Sequence, residues 1–73
     1  MTPALLREAG EALYGALWQS ALARDLGVND RTVRRWDAGT NKIPDGARIE
    51  LQDLLRERGK RLLHLIPNLG PFK

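Results

Sequence analysis

The chain has 73 residues, 12 Lys plus Arg against 9 Asp plus Glu, a net charge of +3 and no cysteine. That length suits one domain, which buries only about 60% of its unfolded surface and must draw stability from close helix packing, a partner subunit or both. The missing cysteine excludes a disulfide framework, a thiolate zinc site and a cysteine nucleophile, and the charges at Arg7, Glu8 and Glu11 exclude a signal-peptide pattern in residues 1–20. No apolar run reaches the ~20 residues that span a bilayer, so a cytoplasmic protein without membrane attachment is expected.

Thr2 followed by Pro3 predicts a helix start, a hydroxyl cap with proline at the first helical position. Leu5, Leu6, Ala9, Ala12 and Leu13 recur at helical spacing as its apolar face, and Gly15 ends it. A second helix follows from Gln19 through Leu22, Ala23 and Leu26 and stops at Gly27. A third opens at Asn29, a good amino-terminal cap, and closes at Gly39. Two short helices joined by the glycine-led turn Gly27-Val28-Asn29 define a helix-turn-helix. After the polar loop Thr40-Asn41-Lys42 and Ile43-Pro44, the residues Ala47, Leu51, Leu54, Leu55, Leu62, Leu65 and Ile66 hold a helical stripe. Gly59 makes it either two helices or one with a weak point, and Pro67 is expected to end it. The expected fold is all-α with four or five helices in a compact domain over 1–66, followed by an extended C-terminal arm over 67–73.

The third helix divides by face. Arg31, Arg34, Arg35 and Ala38 stand at spacing i, i+3, i+4, i+7, while Val33 and Trp36 point the opposite way. Its back is thus apolar and suited to docking on the domain, and its front carries guanidinium groups with a small residue at the end. A protruding helix of this kind suits the major groove, where arginine bonds bidentately to guanine. A solvated charged face is the plain alternative for any such run.

Gln19 to Gly39, QSALARDLGVNDRTVRRWDAG, resembles the helix-turn-helix of the lambda-repressor/Cro-like (XRE-type) DNA-binding domains. The likeness lies in Gln19 opening the second helix, small Ala23, Gly27 in the turn, inward Val28 and Val33, the Trp36-Asp37-x-Gly39 ending and Ile43-Pro44 beyond it. With the flanking helices it covers roughly residues 3–56. The resemblance implies a lambda-repressor-like fold that binds double-stranded DNA. It assigns base contacts to Asp30, Arg31, Arg34, Arg35 and Ala38, and phosphate contacts to Gln19, Asn29, Asn41 and Lys42. Trp18 stands where the family usually has a Ser or Thr cap and is expected to fill the core. Asp30 is expected to complement the helix amino end, and Asp37 to pair with Arg34 or Arg24.

Nothing in the sequence suggests catalysis. His64, the single histidine, sits among leucines, and Tyr14, Ser20, Thr32 and Thr40 have no acid or histidine at a suggestive spacing. No carboxylate cluster suits a metal, no glycine loop suits a phosphate, and no cofactor or small-molecule ligand is expected. Leu51 and Leu55 are expected in the core, whereas Leu62, Leu65, Ile66 and Phe72 are assigned to a homodimer interface that pairs DNA half-sites. Arg56, Arg58, Lys60 and Arg61 are expected to be solvated or to lie against flanking phosphates. The expected function is therefore a small dimeric transcriptional repressor of phage or bacterial type. The alternative is an antitoxin or other interaction module that uses the helical domain to dimerise and binds a protein such as a toxin.

Overall fold

A computed structural model describes residues 1–70. Over these residues the chain is helical, without strands: α1 spans Pro3–Tyr14, a 3-10 turn spans Gly15–Leu17, α2 spans Trp18–Leu26, α3 spans Asp30–Ala38 and α4 spans Asp45–Asn68. Phe72 lies outside the described residues.

Local chemistry explains the helix ends. The Thr2 hydroxyl accepts the Leu5 amide at 3.2 Å ahead of Pro3, and the Asn29 side chain accepts the Arg31 amide at 3.0 Å. Gly27 (φ 71°) and Gly39 (φ 79°) close α2 and α3 in the left-handed region that glycine enters without penalty. Each is followed by an amide that reaches back five residues, Val28 to the Ala23 carbonyl at 2.9 Å and Thr40 to the Arg35 carbonyl at 3.0 Å. The start of α2 has no side-chain cap. Leu17 caps that helix without a side-chain bond, and the 3-10 turn feeds directly into Trp18.

The core joins all four helices: Leu6 and Leu13 of α1, Trp18, Leu22 and Ala23 of α2, Val33 and Trp36 of α3, and Leu51 of α4, with Ile43 from the loop. Trp18 is buried, as expected, and its indole lies on Gly10, where a Cβ would overlap the ring. The absence of a side chain at Gly10 thus lets α1 and α2 cross closely. Buried Val33 and Trp36 form the inward face of α3.

Several expectations need correction. Leu5 and Ala12 are exposed, because the packed stripe of α1 is the narrower set Leu6, Ala9, Gly10 and Leu13. Val28 is 36% exposed, since its amide closes the turn while its side chain stays at the surface. Leu54, not Leu55, joins Leu51 against the core, and Leu55 is 37% exposed. Gly59 does not break α4, which runs continuously, and Pro67 does not end it. Proline removes one donor to the Leu63 carbonyl, but it sits in the final turn. There the Leu69 amide still reaches the Leu65 carbonyl at 3.2 Å and the Asn68 side chain donates to the His64 carbonyl at 2.9 Å. The helix therefore extends two residues into the expected arm.

Two polar braces tie the middle of α4 and the end of α1 to their neighbours. Arg58 donates to the Leu13 carbonyl at 2.8 Å, and the Tyr14 hydroxyl donates to Asp25 Oδ2 at 2.6 Å. The sequence had offered no acid partner for Tyr14; folding supplies one across 11 residues. Burial, then the hydrogen bond to Asp25 and its negative charge, push the Tyr14 phenol up to about 12, against the opposing charges of Arg58 and Arg24.

Two measurements check this packing. Gly10→Ala gains up to ~1 kcal/mol of helix propensity but forces a methyl into the Trp18 ring, an overpacking cost of ~1–3 kcal/mol. The net loss of up to ~2 kcal/mol should lower the melting temperature, by up to about 16 °C, rather than raise it. Tyr14 has a higher pKa folded than unfolded, so its contribution to stability is present below the ordinary phenol value and lost as pH rises from about 10 to about 12. Thermal melts across that interval should show a loss that is smaller in Tyr14→Phe.

Candidate nucleic-acid interface

The outward side of α3 is built by its inward side. Val33 and Trp36 anchor the helix, so Arg31, Arg34, Arg35 and Ala38 are all exposed along one face. The loop residues Asn41 and Lys42 are exposed just beyond it. Thr40 is held over the end of α3, its hydroxyl donating to the Arg35 carbonyl at 3.1 Å, which places the following Asn41 and Lys42 beside the same end.

The arginines are not equivalent. Arg34 Nη2 lies 3.6 Å from Asp30 Oδ2, one turn earlier on the same helix. Among the described residues Arg31 and Arg35 pair with no carboxylate, which leaves their planar donors to solvent or to a ligand. Asp30 is the first residue of α3, where negative charge is favoured, and it also accepts from the Ser20 hydroxyl at 2.8 Å. That bond ties α3 to the beginning of α2. An acid already engaged by Ser20 and Arg34 is poorly placed as a base-reading group, although the sequence assignment included it.

Behind this face lies a network with no sequence signal, because its members are distant in the chain. Asp37 pairs with Arg7 of α1 at 2.9 Å from Oδ1 and accepts from the Gln19 amide of α2 at 2.8 Å on Oδ2. The expected partners of Asp37, Arg34 and Arg24, are replaced by these two. Arg34 turns back to Asp30, and Arg24 lies 4.0 Å from Asp25. The result is one carboxylate, 17% exposed, that joins three helices and fixes the tilt of α3. Gln19 donates one of its two amide N–H groups to Asp37, leaving the other for a further acceptor. Asn29 uses its side-chain oxygen as the cap of α3, so only its amide N–H groups are available outward.

The remaining assignments separate from this face. Leu62, Leu65 and Ile66 are exposed on the far half of α4. Arg56 and Lys60 make ion pairs along α4 with Asp53 at 2.9 Å and Glu57 at 3.9 Å, and Arg58 is folded onto α1. His64 lies 3.1 Å from the Asn68 amide on the same exposed helix. No group of three or more His, Asp or Glu among the described residues is placed to hold a metal ion, and no helix among them is long and apolar enough to cross a membrane.

Asp37→Ala tests the three-helix junction. It strands Arg7 and Gln19, and it should cost ~1–2 kcal/mol, the range of a charge-assisted bond discounted for partial exposure. Denaturant melts should show the loss with helical content unchanged, and Arg7→Ala combined with Asp37→Ala should lose less than the sum of the two. The chain matches no family model, no curated protein and no solved structure.

Proposed function

We propose that the chain is a non-catalytic, cytoplasmic DNA-binding transcriptional regulator, most simply a repressor. In this reading α2, the turn Gly27-Val28-Asn29 and α3 act as a helix-turn-helix of the lambda-repressor-like type. The observation that carries it is the division of α3 into a buried back, Val33 and Trp36, and an exposed front with three arginines and a small terminal residue. A helix so mounted enters a major groove without unburying its own core. Arg31 and Arg35, free of carboxylates among the described residues, are the foremost base-reading groups, with Arg34 released from Asp30 on contact. Gln19, Asn29, Asn41 and Lys42 border the face and supply phosphate contacts that position the helix. A homodimer would present two such helices to paired half-sites.

A second reading is favoured by one observation, the exposed leucines of the projecting half of α4. On it the chain is a protein-interaction module, such as an antitoxin, and the arginine face is only solvated surface.

Selection of bound duplexes from a random pool, followed by binding measured against salt, separates the two. DNA recognition predicts enriched sequences and an affinity that falls steeply with salt. Arg35→Ala should cost ~1–3 kcal/mol on the selected site and much less on random duplex, whereas Lys42→Ala should weaken both alike and lower the salt slope by about one. No binding to any duplex at low salt would leave the interaction-module reading. Equal effects of both substitutions on all sequences would reduce α3 to an electrostatic anchor.

A further inference from the structure

The far half of α4 projects from the body, giving the molecule extents of 48 × 22 × 20 Å, and every described residue from Lys60 onward is exposed. Leu62, Ile66 and Leu69 stand 56%, 64% and 84% exposed. Toward the other end of the same helix, a groove of about 320 Å³ lies between α1 and α4, walled by Met1, Leu5, Ala9, Leu51, Gln52 and Leu55 and also lined by Arg48, which lies 3.9 Å from Asp45. Groove and projecting stripe lie on one line. Gln52, Leu55, Gly59, Leu62, Ile66 and Leu69 follow one another at alternating steps of three and four residues, the spacing of a coiled-coil seam.

We propose that α4 pairs antiparallel with α4 of a second copy of this chain, the tip of each seated in the groove of the other. The occupant is set by the self-complementarity of the seam. Gly59 leaves a gap in it, and a Cβ there would meet open space. With Gly59 opposite the partner's Leu62, the spacing places Leu55 opposite the partner's Ile66 and Gln52 opposite the partner's Leu69. Leu62, Ile66 and Leu69 of the tip then each have a seat, and the groove beside Leu5 and Ala9 receives the partner's Leu69. A parallel pair would instead set Gly59 against the partner's Gly59, an empty layer, and Gln52 against the partner's Gln52.

The charges beside the seam allow this approach. Arg56 is paired with Asp53 and Arg58 is drawn back to the Leu13 carbonyl, so neither guanidinium points across the seam unpaired. In the antiparallel register these two residues flank the partner's Leu63 and Leu65, which their aliphatic stems can cover. In this register Lys60 falls level with the partner's Arg61, one step off the seam on each helix, and Lys60 is paired with Glu57 at 3.9 Å.

Sedimentation of the full chain without DNA should give a dimer at micromolar concentration. Leu62→Glu should raise the dissociation constant at least about a hundredfold, because each dimer loses two leucine seats, while circular dichroism stays unchanged at this exposed position. The chain has no cysteine, so the double variant Leu55→Cys, Ile66→Cys should oxidise to a covalent dimer. Neither Leu55→Cys nor Ile66→Cys alone should, each being offset from its own copy by 11 residues, about 16 Å along the helix and beyond the ~7 Å reach of a disulfide. A monomer at all concentrations overturns the proposal, and so does cross-linking by either single variant or its absence in the double variant. Because DNA is absent, either failure leaves the reading of α3 standing.

Discussion

A helix of nine residues has no business being stable in water by itself, and α3 has only nine. It exists because Val33 and Trp36 are buried against Leu6, Leu22 and the rest of the core. That burial is the constraint from which the arginine face follows. Three guanidinium groups on successive turns repel one another and want solvent, so they stand outward as the obligate reverse of the apolar anchor. Position and chemistry of the candidate interface are therefore one fact seen from two sides. A change that loosens the anchor removes the face with it.

The polar bonds around α3 refine what burial begins. Glycines at Gly27 and Gly39 set where the helix starts and stops relative to its neighbours, and the Asn29 cap fixes its first turn. Asp37 then links α3 to α1 through Arg7 and to α2 through Gln19, while Asp30 links it to Ser20. These bonds lie at or near the surface and each contributes little stability. Their effect is angular: together they hold a short helix in one orientation, which a groove-reading surface requires.

Features written in local sequence were legible before the structure. Thr2-Pro3, Asn29 and the two glycines marked helix ends, and the three- and four-residue spacing separated Arg31, Arg34 and Arg35 from Val33 and Trp36. Long-range partners were not legible. Nothing near Asp37 pointed to Arg7, 30 residues away, and nothing near Tyr14 pointed to Asp25. Periodicity also overstated the core. Leu5, Ala12 and Leu55 fit an apolar stripe, yet a body this small has core enough only for the middle of each stripe. Pro67 misled for a related reason, since a proline breaks a helix interior far more effectively than its last turn.

α4 shows the same limit at larger scale. Its first half packs through Leu51 and Leu54, and its second half carries as many apolar residues with nothing of its own chain beneath them. The two proposed surfaces consequently sit on different helices, and each can be changed without the other.

The central claim, that the outward face of α3 is the surface that meets DNA, is tested most directly by amide chemical shifts recorded as a selected duplex is added. The largest changes are expected on residues 29–42 and on the start of α2 near Gln19, with the α4 tip unmoved beyond any effect of dimerisation. Changes concentrated on residues 60–70, with α3 silent, would contradict it.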